Sequence, residues 1–124
     1  MSLLNKLFGS SKDEKETPKF WNYIESEEDL QKALEQSYHE KVVIFKHSTR
    51  CFISQTVLKN FEKEVENSGK KATYYFLDLI EYRSISNKIA DGLDVTHQSP
   101  QLIVVENGKA VNNASHQSIS TALI

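Results

Sequence analysis

The residues with chemistry to offer sit in one stretch. The chain has a single cysteine, Cys51, within His47-Ser-Thr-Arg-Cys-Phe-Ile-Ser54. Before it, residues 42–45 are four consecutive apolar residues, which read as a short strand buried on both faces. After it, Ile53, Val57, Phe61 and Val65 recur at four-residue steps with Leu58 beside them, which is helical spacing. The stretch between, residues 46–50, is polar, with two hydroxyls and two cations. Cys51 therefore stands where a buried strand hands over to an amphipathic helix. A sulfur there faces the unpaired N–H groups of the first helical turn and the positive end of the helix dipole. Both favour thiolate over thiol, and the thiolate is the nucleophile. Arg50 adds a neighbouring positive charge. A lone cysteine can equally be a small buried hydrophobe; its polar flank and its place at a strand-to-helix junction favour the reactive reading. His47 and Cys51 have a workable local spacing for zinc, but two converging ligands fall short of the usual four.

The elements that must position Cys51 follow in regular order. Phe20-Trp-Asn-Tyr-Ile24 reads as a first strand. Ser26 followed by Glu27, Glu28 and Asp29 marks a helix start, with Leu30, Ala33, Leu34 and Tyr38 as its buried stripe. The segment 38–41 turns back into the central strand, and the helix after Cys51 closes at Gly69. Residues 73–78 are β-rich. A helix follows with Tyr82, Ile85 and Ile89 on one face, ending near Asp91-Gly92. Residues 93–100 connect to a buried strand over residues 102–105, and Asn107-Gly108 predicts a tight hairpin into a return strand holding Val111. A last helix, capped near Ser115, carries Ile119, Leu123 and Ile124. A βαβα, βα, hairpin, helix order predicts an α/β domain: a central mixed sheet of about five strands flanked on both faces by about four helices.

Composition narrows the function classes. A chain of 124 residues, 39% apolar and 26% charged, suits one globular domain. The net charge of −2 and the lack of a long basic run give no reason to expect a nucleic-acid partner. One cysteine excludes an intrachain disulfide and any multi-cysteine zinc site within the chain, and fits a reducing, cytoplasmic setting. No apolar run is long enough to span a bilayer, so no membrane partner is expected. Residues 1–19 read as a flexible arm preceding a domain over residues 20–124. Within the arm, Leu3, Leu4, Leu7 and Phe8 have helical spacing without the h-region of a signal peptide. A membrane-surface anchor is the alternative reading, weakened by short length and low basicity.

The element order, with one cysteine after the second strand and Ser99-Pro100 before the hairpin, resembles the thioredoxin fold. The strings Phe45-Lys-His-Ser-Thr-Arg-Cys-Phe-Ile-Ser54, Tyr82-Arg-Ser-Ile-Ser-Asn87, His97-Gln-Ser-Pro-Gln101 and Ala114-Ser-His116 are similar to the monothiol bacilliredoxin (YtxJ) family over roughly residues 20–124. Phe52 departs from that pattern, standing where members often have a helix-starting proline. The resemblance implies a thioredoxin-like oxidoreductase acting on mixed disulfides between proteins and bacillithiol, a low-molecular-weight thiol. It implies a cis Ser99–Pro100 bond that presents the backbone of Ser99 to an extended substrate. Cys51 is then the catalytic nucleophile, with Arg50 and Ser54 as thiolate-stabilising neighbours. His47, Ser48, Thr49, Phe52, His97, Ser99, Pro100 and His116 form the substrate-binding set, His47 and Arg50 steering an anionic thiol; His39 is an exposed bystander. Ser54 stands where a Cys-x-x-Cys enzyme carries its resolving thiol, so resolution falls to an external thiol. No bound cofactor or metal is expected; bacillithiol is a cosubstrate, S-thiolated client proteins are the partners, and a monomer is the expected state, with a Cys51-linked or non-covalent dimer as the alternative.

Two other classes compete. Cys51-Phe-Ile-Ser54 shares the Cys-x-x-Ser frame of monothiol glutaredoxins, which hold an iron–sulfur cluster between subunits. The chain lacks their glycine after the cysteine and their Gly-Gly segment. A non-catalytic interaction domain on the same scaffold is the third reading, since fold alone does not fix function.

Overall fold

The computed structural model describes residues 18–124. Almost all of the expected arm, with the helical spacing near its start, lies outside the described residues. The elements run β1 (Trp21–Tyr23), α1 (Glu27–Gln36), β2 (Val42–His47), α2 (Phe52–Ser68), β3 (Thr73–Asp78), α3 (Arg83–Leu93), β4 (Gln101–Glu106) and β5 (Lys109–Ser115). Two 3-10 turns, His116–Ser118 and Thr121–Leu123, finish the chain. The strands form one mixed sheet in the order β1-β3-β2-β4-β5. β3 lies parallel to both β1 and β2, whereas β4 runs antiparallel to β2 and to β5.

Local chemistry sets the boundaries. Ser26 Oγ accepts the Asp29 N–H at 3.1 Å and starts α1. Gly69, at φ 66°, ends α2 in the left-handed conformation that costs glycine nothing. Asn107 and Gly108, at φ 53° and 76°, form the β4–β5 turn with both central residues left-handed, which matches the twist of the paired strands.

β2 is the central strand, and each face of the sheet buries a separate core. Val42 and Ile44 point to the face covered by α1 and α3, joining Ala33, Leu77, Ile85, Ile89, Ile103 and Val105. Val43 and Phe45 point to the face covered by α2, joining Trp21, Phe61, Leu102 and Ile119. All four of these β2 side chains are fully buried, each worth about 1.5–3 kcal/mol relative to exposure.

Three expectations need correction. β2 does not stop at Phe45: Lys46 and His47 continue the strand and are buried, because β3 offers six residues to pair and both polar side chains find partners. Tyr38 lies beyond α1 and is exposed, since the helix stops at Gln36 and Ser37 caps it. α3 ends at Leu93, near Asp91-Gly92 as expected, with left-handed Asp94 at φ 56° after it. The last helix is replaced by the two 3-10 turns. Left-handed His116 (φ 54°) and extended Ile119 and Ser120 interrupt any continuous α-helical path. Three α-helices, rather than about four, flank the sheet among the described residues.

Candidate active site

Cys51 is the N-cap residue of α2, with extended backbone (φ −106°, ψ 119°), and its side chain is half-buried. Its N–H closes a turn onto the Ser48 carbonyl at 3.2 Å, and its carbonyl accepts the first helical bond, from Gln55 N–H at 3.1 Å. The Gln55 side-chain amide donates back to the Thr49 carbonyl at 3.1 Å. The loop between β2 and α2 is thereby held at both ends, and the sulfur sits where the helix presents its unpaired N–H groups and positive dipole end.

Ser54, three residues on, is fully buried. Its Oγ accepts the Ser48 N–H at 3.1 Å and shares a hydrogen bond of 2.8 Å with His47 Nδ1. Ser54 thus braces the Cys51 loop from below, its hydroxyl engaged by His47 and Ser48. His47 is only 5% exposed and packs beside Phe45 and Phe76. It lies buried beneath the Cys51 loop. Burial lowers the His47 pKa, opposed by the negative charge of Asp78, so the ring is neutral at pH 7. Thr49 and Arg50 are exposed beside Cys51, and Ser48 is buried.

A second part of the site comes from β4 and β5. The antiparallel register pairs Lys46 with Gln101, so Pro100 stands one step further along, opposite the His47 end of β2. The Ser99–Pro100 peptide is cis, with Pro100 buried and Ser99 half-buried. The Pro100 carbonyl accepts the His116 N–H at 3.1 Å, which ties the end of β5 to the same tip of the sheet. His116 in turn joins Phe52, Ile53, Val57 and Ile119 around a cleft of about 280 Å³. Phe52 is 79% exposed and forms its apolar lip.

The expected site residues therefore fall into two groups. Cys51, Phe52, Ser99, Pro100 and His116, with exposed Thr49 and Arg50, belong to the tip of the sheet, His47, Ser48 and Ser54 lying beneath it. His97 belongs to the other face: its Nδ1 lies 3.4 Å from the Lys46 amine and 3.5 Å from Ser86 Oγ. Sequence reading missed Lys46, Ser86 and Gln101, all three completely or almost completely buried. A lysine directly following four strand residues looks like the start of a turn. The signal that could have found it is strand length, since residues 73–78 demand a partner six residues long. Among the described residues, no group of three or more His, Cys, Asp or Glu side chains is placed to hold a metal ion. No helix among them is long and apolar enough to cross a membrane.

A five-stranded mixed sheet with a half-buried cysteine at the N-cap of the helix that follows the central strand, and a proline entering the neighbouring antiparallel strand, defines the thioredoxin class of fold. Solved structures agree. One, described as a candidate oxidoreductase with a thioredoxin fold, superposes with a TM-score of 0.72 at 27% identity, covering 86% of this chain and 94% of its own. The thioredoxin of Schistosoma mansoni gives 0.63 at 20% identity, over 77% of this chain and 85% of its own. That of Malassezia sympodialis gives 0.62 at 20% identity, over 76% of each chain. The family model described as monothiol bacilliredoxin BrxC matches residues 22–124, and the chain belongs to that family. Fold and family together support a redox role.

Proposed function

We propose that the protein is a cytoplasmic monothiol thiol–disulfide oxidoreductase that removes bacillithiol from protein mixed disulfides through Cys51. The Cys51 thiolate attacks the bacillithiol sulfur of the mixed disulfide. A new sulfur–sulfur bond forms to Cys51, the old one breaks, and the electron pair leaves with the client sulfur, which takes a proton from water. An external thiolate, such as a second bacillithiol, then attacks the adduct, leaves as a disulfide and returns Cys51 to its starting state. The observation that carries this reading is the pair of residues at the start of α2: a half-buried Cys51 on the N-cap and a buried Ser54, not a second thiol, three residues on. Exposed Arg50 suits a thiol that carries carboxylates, and the apolar lip at Phe52 suits a client chain. The Ser99–Pro100 segment at the same tip offers backbone to an extended client strand.

Intact mass of the protein after exposure to a bacillithiolated client, beside Cys51→Ser, tests the proposal. The expected result is a gain of one bacillithiol on the wild type only, with release of the free client thiol. An unmodified wild type with the client still bacillithiolated sinks it.

A further inference from the structure

The sheet holds a buried polar pair that the exchange chemistry above does not use. Lys46 of β2 and Gln101 of β4 face each other across the antiparallel ladder, and their side chains are 0% and 1% exposed. Lys46 lies on the α1–α3 side of β2, alternating with Val43 and Phe45 on the α2 side. A buried amine and a buried amide each require partners, and the partners here are specific. Lys46 Nζ donates to the Ser86 carbonyl in the first turn of α3 at 3.1 Å and lies 3.4 Å from His97 Nδ1. Gln101 Nε2 donates to the Thr96 carbonyl at 2.9 Å, and Gln101 Oε1 accepts the Gln98 N–H at 3.4 Å. Three consecutive residues, Thr96, His97 and Gln98, are thus held from two adjacent strands. They are the residues that lead directly into Ser99–Pro100.

We propose that Lys46 and Gln101 are positioning residues that clamp the 96–98 segment, so that Ser99–Pro100 is delivered to the tip of the sheet opposite the end of β2. Lys46 has a second effect. An ammonium has only donors, so the His97 nitrogen facing it accepts, and the ring proton resides on Nε2. His97 itself is half-buried beside a wide polar cleft of about 590 Å³, shared with Asn87, Asp91 and Asp94. Lys46 therefore fixes the tautomer in which His97 carries its proton on Nε2. The charges support this state. Burial lowers the Lys46 pKa only to about 8, so the ammonium form prevails at pH 7. Burial, then the positive charges of Lys46 and Arg83, lower that of His97 and keep it neutral.

The inference rests on the proposed exchange reaction for its kinetic consequence, but its structural half is read independently. Long-range proton–nitrogen NMR of the histidine rings at pH 7, with His97 assigned through His97→Gln, reports the tautomer. Wild type is expected to show Nε2–H alone, and Lys46→Met a mixture of tautomers. Steady-state transfer from a bacillithiolated client then gives KM and kcat for Lys46→Met and for Gln101→Leu. The expected outcome is a KM raised about fivefold or more in both, with the rate of Cys51 alkylation by iodoacetamide within twofold of wild type. That split separates a displaced Ser99–Pro100 segment from a damaged thiol. An unchanged His97 tautomer in Lys46→Met, or an unchanged KM in Gln101→Leu, overturns the clamp. A wild type that alkylates normally but transfers nothing overturns the proposed function instead, and the tautomer measurement still decides the role of Lys46. If Lys46→Met does not fold, Gln101→Leu carries the kinetic test by itself.

Discussion

Lys46 and His47 are neighbours at the end of the same strand, point to opposite faces, and are both buried, yet they brace different things. His47 reaches Ser54 and so supports the loop and helix start that carry Cys51. Lys46 reaches Ser86 and His97 and so supports the segment that carries Ser99–Pro100. The α2 side is a compact brace: one hydroxyl ties together His47 and the Ser48 backbone over an interval of seven residues. The α3 side is a long-range brace, spanning 40 residues to Ser86 and 51 to His97. A strand end thus positions the Cys51 loop through contacts local in sequence and the opposing backbone segment through contacts that exist only in the folded chain.

This contrast can be broken at several points. The largest effect is expected at Cys51: on the proposed function, Cys51→Ser should abolish the bacillithiol adduct read by intact mass. Ser54→Ala comes next. It leaves the Ser48 N–H and His47 Nδ1 buried without their shared partner, at a cost of about 1–3 kcal/mol, to be read as a lower urea midpoint. A midpoint equal to wild type would mean that the compact brace carries no weight.

On the other face, Lys46 gives stability a distinctive pH dependence. Burial holds its pKa in the folded chain at about 8, against the ordinary lysine value of 10.5. Between these values the unfolded chain binds more protons at this site than the folded chain does, so stability should rise with pH from 8 to 10, by no more than about 1.4 kcal/mol per pH unit. Lys46→Met should flatten that rise in urea titrations. At the acid end the sign is the same. His47 and His97 both have lowered pKa values in the folded chain. Stability is therefore lost as pH falls below the ordinary histidine value of about 6.5.

The smallest expected effect concerns the departure at Phe52. This is the first helical residue, it is exposed, and Cys51 before it is already extended. Proline is favoured at such a position and an extended preceding residue suits it. Phe52→Pro should therefore stabilise the fold by about 0.4–1 kcal/mol, measured by thermal melting, while removing the apolar lip of the cleft. A loss of stability would mean that Phe52 packs usefully despite its exposure.

Much of this architecture was legible in the residues. The four-step recurrence of Ile53, Val57, Phe61 and Val65 announced α2, and three of those four are buried against the sheet. The apolar run before Cys51 announced β2, Asn107-Gly108 announced the hairpin, and Ser26 and Gly69 marked helix ends. These signals are local: they depend on side-chain periodicity and on backbone conformations that particular residues favour. The sequence also placed the one thiol at a helix start and denied it a second thiol.

Tertiary structure decided the rest, because it turns on partners distant in the chain. Nothing near Lys46 in sequence says that it will be buried, since the groups that satisfy it arrive from α3 and from the connection before β4. Nothing near His47 separates a surface ligand from a ring packed against Phe76, which comes from a neighbouring strand. The C-terminal residues carried helical spacing in Ile119 and Leu123. They settled into 3-10 turns, with left-handed His116 bonding the Pro100 carbonyl and Ile119 packed into the core under α2. Local periodicity fixes which residues can form an element. The burial of a polar group, and with it the brace behind each half of the site, is fixed only when the sheet closes and supplies the hydrogen-bond partners.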